Sequence, residues 1–525
     1  MKRRLFSALA ALSMAAACLS GAPAQAEGKT LRLVPYADLK VLDPFFTTAY
    51  ITRNFGFMVY DTLFAPDAKG NPQPQMVASY KTSEDGKSWT FTLRDGLKFS
   101  DGNAVKSADV VASLERWEKR DNIGRAMVAA GGKWAAVDDK TFTLTLSQPF
   151  GPVLDGLAKV ASYPAFIIPE RLAKMPDTAP LNEVVGSGPY LFKRDEWVPG
   201  SKLVFLRNPA YVGRSDAPSG LAGNRTSHVD RVEWAILPDA NSAIAALKNG
   251  EVDMIEEVTP DYIKALRSDS DVHTGVTGKS QAYLIMNHLN PPFDKPQARQ
   301  ALRHAIDQEK FVAAMGYPED LRMNYCASFF ICGSPNESSA GAEPYRKVDM
   351  ALAKKLLADA GYKGEKVVVM LPTDVAYLNS ATLVAIQAMQ DLGMNVDIQS
   401  MDWATETARR ASKNPVEKGG WSVYLSSAAD YNVNSPLNNT YLGAACGNSL
   451  PGWPCDKQLD ELRTEWIAAT EPAKRKELLD KFQARAYEVL PYIAVGQFDR
   501  VHAVRTAIKH SDLLWGLPNV WVLDK

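Results

Sequence analysis

The chain has 525 residues, with 59 basic and 60 acidic side chains and a formal net charge of -1. So even a balance argues against nucleic acid as a partner, because a nucleic-acid binder needs a basic surface to displace counterions. Hydrophobic residues make up 46% of the chain, enough for large cores, and at about 100–200 residues per domain the length predicts two to four compact units.

The first 26 residues, MKRRLFSALAALSMAAACLSGAPAQA, stand apart. Lys2, Arg3 and Arg4 precede an apolar run that ends at Ala24-Gln25-Ala26, a small-x-small cleavage site. This predicts a cleaved secretory signal peptide over residues 1–26 and an exported mature chain. Cys18 follows three alanines, so a lipoprotein anchor is the alternative, but the larger aliphatic residue expected three positions upstream is missing. No later stretch approaches about 18 uninterrupted apolar residues, so a soluble mature chain is expected. Export predicts an oxidising compartment for Cys326, Cys332, Cys446 and Cys455. Four cysteines allow three pairings. The expectation is the pairing local in sequence, Cys326–Cys332 and Cys446–Cys455, each bridge contributing roughly 2–3 kcal/mol in the chain-entropy model. A zinc site would need a C-x2-4-C spacing or a histidine cluster, and neither is present.

In chain order, SWTFTLRDGLKF alternates Trp89, Phe91 and Leu93 with polar residues and turns at Asp95-Gly96, which predicts a hairpin strand with one buried face. KSADVVASLERWEKR sets Val110, Val111, Leu114 and Trp117 at helical spacing, with Ser107 as N-cap. KTFTLTLSQPF, residues 140–150, repeats the two-residue period. DANSAIAALKNGEVDM predicts a short helix capped by Asn241 and ended by Gly250. A helix begins at Asp294 with Pro296 just inside, and another is framed by Asp349 and Gly361. KVVVML and MNVDIQSMDW flank a helical segment. That order predicts parallel strands joined by a right-handed crossover, with Trp403 and Trp421 in or beside their sheet. Two helices close the chain, the second with Thr470 as cap and Pro472 in its first turn. These elements predict a mixed α/β protein with several sheets and amphipathic helices.

Several stretches carry a resemblance. They are Leu42-Asp43-Pro44, Tyr60-Asp61-Thr62-Leu63, PQMVASY, FTLRDGLKFSDG, VGSGPYLF, LRNPAYVG, LKNGEVDM, AKKLLADAGY and YLIMNHLNPPFDKPQARQALRHAID. Together they span essentially the whole mature chain. They resemble the solute-binding proteins of bacterial ABC importers, in the class with oligopeptide-, dipeptide- and nickel-binding members. The resemblance implies a two-lobe periplasmic-binding-protein fold, type II-like of cluster C, with an extra subdomain inserted in lobe I. Lobe I would cover residues 27–281 with the insertion at about 78–185, lobe II residues 282–488, and residues 489–525 would return to lobe I. Segments near 276–287 and 488–500 would form the hinge. It also implies a monomer that hands a small molecule or short peptide to an inner-membrane ABC permease, with no cofactor.

The resemblance places ligand contacts too. In peptide-binding relatives an aspartate in an A-D-Y-N context holds the ligand ammonium, and AADYN puts Asp430 there. The competing reading of Asp430 is an Asx-turn or N-cap. Thr47, Thr48 and Tyr50 would line the cleft from lobe I. Arg53 would reach a ligand anion or face solvent. Tyr424 and Tyr431 would stack on the ligand or pack in the core. Two departures from dipeptide-binding relatives stand out. Their arginine after the VVVML strand is absent, with Asp374 and Val375 at that place. Their tryptophan three residues before the aspartate is Ser427 here. Longer peptides, or an opine, a sugar or another non-peptide solute, therefore enter as ligands. The rival classes are an exported hydrolase and a metal-chelate or haem carrier. No G-x-S-x-G, HExxH or P-loop supports the first. The scattered His228, His273, His288, His304, His502 and His510 do not support the second.

Overall fold

The computed structural model describes residues 28–176, 178–446, 449–469, 471–509, 520, 521 and 523. The signal-peptide reading, Cys18, Thr470 and His510 lie outside these residues.

Strands β1 (Thr30–Val34), β2 (Val77–Thr82), β3 (Ser88–Leu93), β4 (Lys133–Ala136) and β5 (Thr141–Thr145) come first. Then follow β6 (Tyr190–Phe192), β7 (Lys202–Arg207), β8 (Arg231–Ala235), β9 (Met254–Ile255) and the long β10 (Val272–Met286). The last are β11 (Lys366–Pro372), β12 (Asn395–Met401), β13 (Val423–Ala429) and the long β14 (Ile493–Arg505). One large sheet runs in the order β6-β7-β8-β1-β9-β14-β10-β13-β11-β12. The pair β14·β10 therefore joins two halves. Strands from residues 30–255 hang on β14, and strands from residues 366–429 hang on β10. A separate four-stranded sheet, β2-β3-β5-β4, is built from strands between Val77 and Thr145.

Local chemistry explains much of this. In β3, Phe91 and Leu93 are buried while Ser88 and Thr90 are exposed, the alternation of a strand with one covered face. β11 and β12 are parallel, in register from Lys366↔Asn395 to Pro372↔Met401, with the helix Ala376–Leu392 between them. Val367 to Met370 are fully buried, as expected of a strand covered on both faces. Trp421 is buried two residues before β13, and Trp403 opens the helix Trp403–Arg409 after β12. The disulfides are Cys326–Cys332 and Cys446–Cys455.

The caps differ from expectation. Lys106, not Ser107, precedes the helix Ser107–Trp117, and the Asp109 carboxylate takes the Lys106 N–H at 2.8 Å. Ser107 is instead the first helical residue and donates its hydroxyl to the Asp138 carbonyl. The helix Ala240–Asn249 is capped by Asp239, which accepts from Ser242 N at 2.8 Å, although Gly250 does end it in the left-handed region. Glu471 occupies the cap before Pro472–Val489. The helix beginning near Asp294 is two helices, Pro296–Ala305 and Gln308–Ala314, because Asp307 caps a fresh start.

Two aspartates of the shared motifs are structural. Asp43 is buried, pairs with Arg116 at 3.1 Å and accepts from Leu181 N at 2.9 Å, so it ties the segment before α1 (Tyr50–Val59) to the helix Ser107–Trp117 and to Leu181. Asp61 is buried against Arg225 at 3.1 Å and accepts the Tyr211 hydroxyl at 3.3 Å. In VGSGPYLF, the glycines serve a close approach rather than a turn. A Cβ on Gly186 would stand 1.8 Å from the Val59 carbonyl oxygen at the end of α1. Gly186→Ala is expected to cost about 1–3 kcal/mol by forcing these backbones apart. A urea-unfolding midpoint equal to that of the parent protein would contradict this packing.

Candidate functional site

The candidate residues converge where β13 ends. Side chains alternate along β13, so Ser427 points opposite to Tyr424. Ser427 Oγ lies 3.0 Å from the Tyr377 hydroxyl. Tyr424 is buried on the other face, edge-on to Trp421 at 5.0 Å and under the Arg410 guanidinium at 4.3 Å. At Asp430 the chain turns into the short helix Asp430–Val433. Asp430 is half-buried. Its Oδ1 accepts the Tyr431 N–H at 2.7 Å, so one oxygen serves the turn that sequence reading allowed. Burial pushes its pKa up, opposed by Arg500, by the backbone N–H groups of Tyr431 and Lys279, and by Arg53.

The facing wall is the start of α1. The Tyr50 ring meets the Tyr431 ring edge-on at 5.4 Å, and the Tyr50 hydroxyl accepts from Asn432 Nδ2. Ala161 and Ala429 join these rings in a small apolar cluster. The two halves also meet away from the site, where a Cβ on Gly151 would stand 3.1 Å from the Ala469 carbonyl oxygen. Arg53 does not face solvent: it is 3% exposed. Its guanidinium lies over both rings, 5.0 Å from the centre of Tyr50 and 4.5 Å from that of Tyr431. It donates to Asn54 Oδ1 at 2.7 and 3.0 Å and to the Val160 carbonyl at 3.4 Å. Thr47 Oγ1 accepts from Ala49 N at 3.2 Å, and Thr48 is exposed, its carbonyl taking the Ser162 hydroxyl at 2.8 Å. Both therefore sit at the lip before α1.

A third wall was not anticipated. Phe498 and Arg500 share a face of β14. Phe498 stacks on Tyr317 at 4.4 Å and meets Tyr377 at 5.7 Å. Arg500 Nη1 is 3.7 Å from Glu257 Oε2. Beside it, Glu256 is buried and accepts from Asn54 Nδ2 at 2.7 Å and from Tyr36 N at 3.1 Å. The structure thus brings Asp430, Tyr50, Tyr431 and Arg53 together, with Ser427 adjoining through Tyr377. It does not bring Tyr424 to Asp430. The signal for Arg500 lay in FDRVHAVR, where a charged side chain shares the period-two face of Phe498 and Val504. A cavity lined by Pro189, Arg207, Asn208, Tyr211 and Ser227, among others, shares no residue with this cluster. Desolvation of the half-buried His288 ring, with Arg299 beside it, pushes its pKa down to about 3 and keeps the ring neutral. Among the described residues no group of three or more metal-ligating side chains gathers.

Burial, with Glu257 adding to it, raises the Glu256 pKa from 4.5 to about 7, against the Tyr36 N–H, Arg53 and Arg500. The folded protein therefore holds this proton more tightly than the unfolded chain does. The contribution is full below about pH 4.5 and is lost as pH rises through about 7. Glu256→Gln should flatten the fall in stability between about pH 5 and 8 by up to about 3 kcal/mol, at about 1.4 kcal/mol per pH unit. Urea titrations with the same pH slope in both proteins would contradict this.

Known proteins place the chain. The family model for the middle region of bacterial extracellular solute-binding proteins, family 5, matches residues 71–450. A probable peptide ABC transporter periplasmic-binding protein of Sinorhizobium fredii is 33% identical over 513 residues, covering 96% of this chain and 94% of that one. The glutathione-binding protein GsiB of Escherichia coli is 26% identical, covering 93% and 92%. Among solved structures, the periplasmic binding protein AgaA of A. tumefaciens with agropinic acid superposes with a TM-score of 0.78 at 24% identity, covering 94% and 98%. DppA of Helicobacter pylori with the peptide STSA gives 0.78 at 20%, covering 94% and 98%. These likenesses show the two-lobe fold, and the family match shows the kinship: the chain belongs to the bacterial extracellular solute-binding proteins, family 5, a family of ABC-importer binding proteins.

Proposed function

We propose that this protein is a periplasmic, non-enzymatic receptor that captures a peptide or peptide-like organic solute between its lobes and delivers it to an ABC permease. Lobe I takes residues 27–281 with the insertion at about 78–185, lobe II residues 282–488, and the crossing strands β10 and β14 act as hinge. Asp430 accepts the ammonium of the solute. The observation that carries the reading is its position. A half-buried carboxylate stands at the end of β13 where Tyr431 and Asn432 of one half touch Tyr50 of the other. A carboxylate in such a place is stabilised by a charge-assisted partner, and a partner touched by both lobes favours the closed arrangement by its extra contacts there. The relatives named for peptides and for glutathione handle solutes that bear an ammonium group. Reversible capture needs no covalent step.

Asp430→Ala is expected to weaken the tightest binder in a panel of di- to tetrapeptides at least tenfold, since a charge-assisted hydrogen bond contributes about 1.5–3 kcal/mol. Titration calorimetry reads this directly. Unchanged affinity would reduce Asp430 to shaping its own turn.

A further inference from the structure

Arg500 is a charge beside Asp430 with unused bonding capacity. Its Nε and Nη2 are buried and have no hydrogen-bond partner. Among the described residues its one acidic neighbour within 4.0 Å is Glu257, and the 3.7 Å separation is too long for a hydrogen bond. Arg53, by contrast, spends donors on Asn54 and Val160. Burial works against the charge of Arg500. Tyr431, Glu257, Asp430 and Tyr50 nevertheless hold its pKa above the ordinary guanidinium value.

Its place relative to Asp430 is set by strand pairing. Arg500 is the cross-strand partner of Gly278. An Asp430 carboxylate oxygen lies 3.4 Å from where a Gly278 Cβ would stand. Asp430 and Arg500 therefore flank one bare patch of β10, near enough for each to act on the other's charge, without pairing to each other. Gly278 has φ 149° and puts no side chain between them. The rings of Tyr50 and Tyr431, which meet edge-on from the two halves, both lie near enough to Arg500 to act on its charge. The corner after β11 offers no cation: Asp374 there accepts the Trp403 N–H at 2.7 Å.

We infer that Arg500 is the second charged anchor of the cleft, its Nε–Nη2 edge taking the carboxylate of a compact zwitterion whose ammonium rests on Asp430. The inference rests on the Asp430 reading above. A guanidinium edge presents two parallel donors that match a carboxylate. An extended chain spans up to about 3.6 Å per residue. Two anchors near enough to act on each other's charge therefore suit an amino-acid derivative or a dipeptide and not a tetrapeptide stretched end to end.

The test uses the full mature protein and defined probes: dipeptide mixtures as free acids, as C-terminal amides and as N-acetylated acids, with tetrapeptide free acids for length. Ligand-induced thermal shifts find the binders, and calorimetry gives their affinities. The expected result is that dipeptide acids bind at least tenfold more tightly than their amides and than tetrapeptide acids. Arg500→Met and Arg500→Lys should both bring acids down towards amides, the lysine variant because it keeps the charge and loses the fork. Acids and amides that bind the parent protein equally would overturn the inference, whatever the variants do. So would variants that keep the preference for acids, or a parent protein that none of the mixtures stabilises. N-acetylated acids binding as tightly as free acids would refute the Asp430 reading, while a surviving acid-over-amide preference would still support Arg500.

Discussion

The antiparallel pairing of β10 with β14 is the constraint on which the rest depends. It runs from Val272↔Arg505 to Leu284↔Ile493 and is the seam between the two halves of the large sheet. The register shifts between Val276 and Gly278 and again between Ala282 and Tyr283. Gly278 lies at the first irregularity with φ 149°, and Gly496, opposite Ala282, has φ 150°. Extra residues at such points bend and twist a strand pair. A seam that is continuous in hydrogen bonds yet locally irregular keeps the halves attached while concentrating deformation at few residues.

Charge is gathered at the same seam. Glu256, Glu257 and Asp430 stand against Arg53 and Arg500, in a setting where each pays for lost water unless paired. The structure divides the two arginines by task. Arg53 is bonded within its own helix and to Val160, under two aromatic rings, and so braces the wall it grows from. Arg500 is held charged but left with open donors. In the reading proposed above, a solute that completes those bonds only when both halves close on it converts a local electrostatic deficit into a shift of population between open and closed shapes. The aromatic side chains add apolar contact around the charges without fixing the identity of the solute.

Much of the architecture was legible in the sequence. The period-two pattern of Trp89, Phe91 and Leu93 and the strand–helix–strand order around Ala376–Leu392 depend on local spacing, and the folded chain keeps them. Helix caps were less legible, because carboxylates start both helices earlier than Ser107 and Asn241 would: Asp109 takes the Lys106 N–H, and Asp239 accepts from Ser242 N. The glycines of VGSGPYLF were legible only as part of a shared motif, because their reason is a tertiary neighbour, the end of α1. Asp430, Tyr50 and Tyr431 were nominated as ligand contacts from sequence because their motifs sit in short recognisable stretches. Arg500 was not, since its meaning comes from facing Gly278 across the seam, more than 200 residues earlier in the chain. A strand pairing of that range leaves no local trace beyond a charge on an apolar face.

Small-angle X-ray scattering on the mature protein tests the clamp itself most directly. The measurement compares profiles before and after saturation with dipeptide acids whose binding a thermal shift has verified. The account predicts a smaller radius of gyration and a redistribution of interatomic distances once peptide bridges the lobes. Superimposable profiles at verified saturation would contradict it.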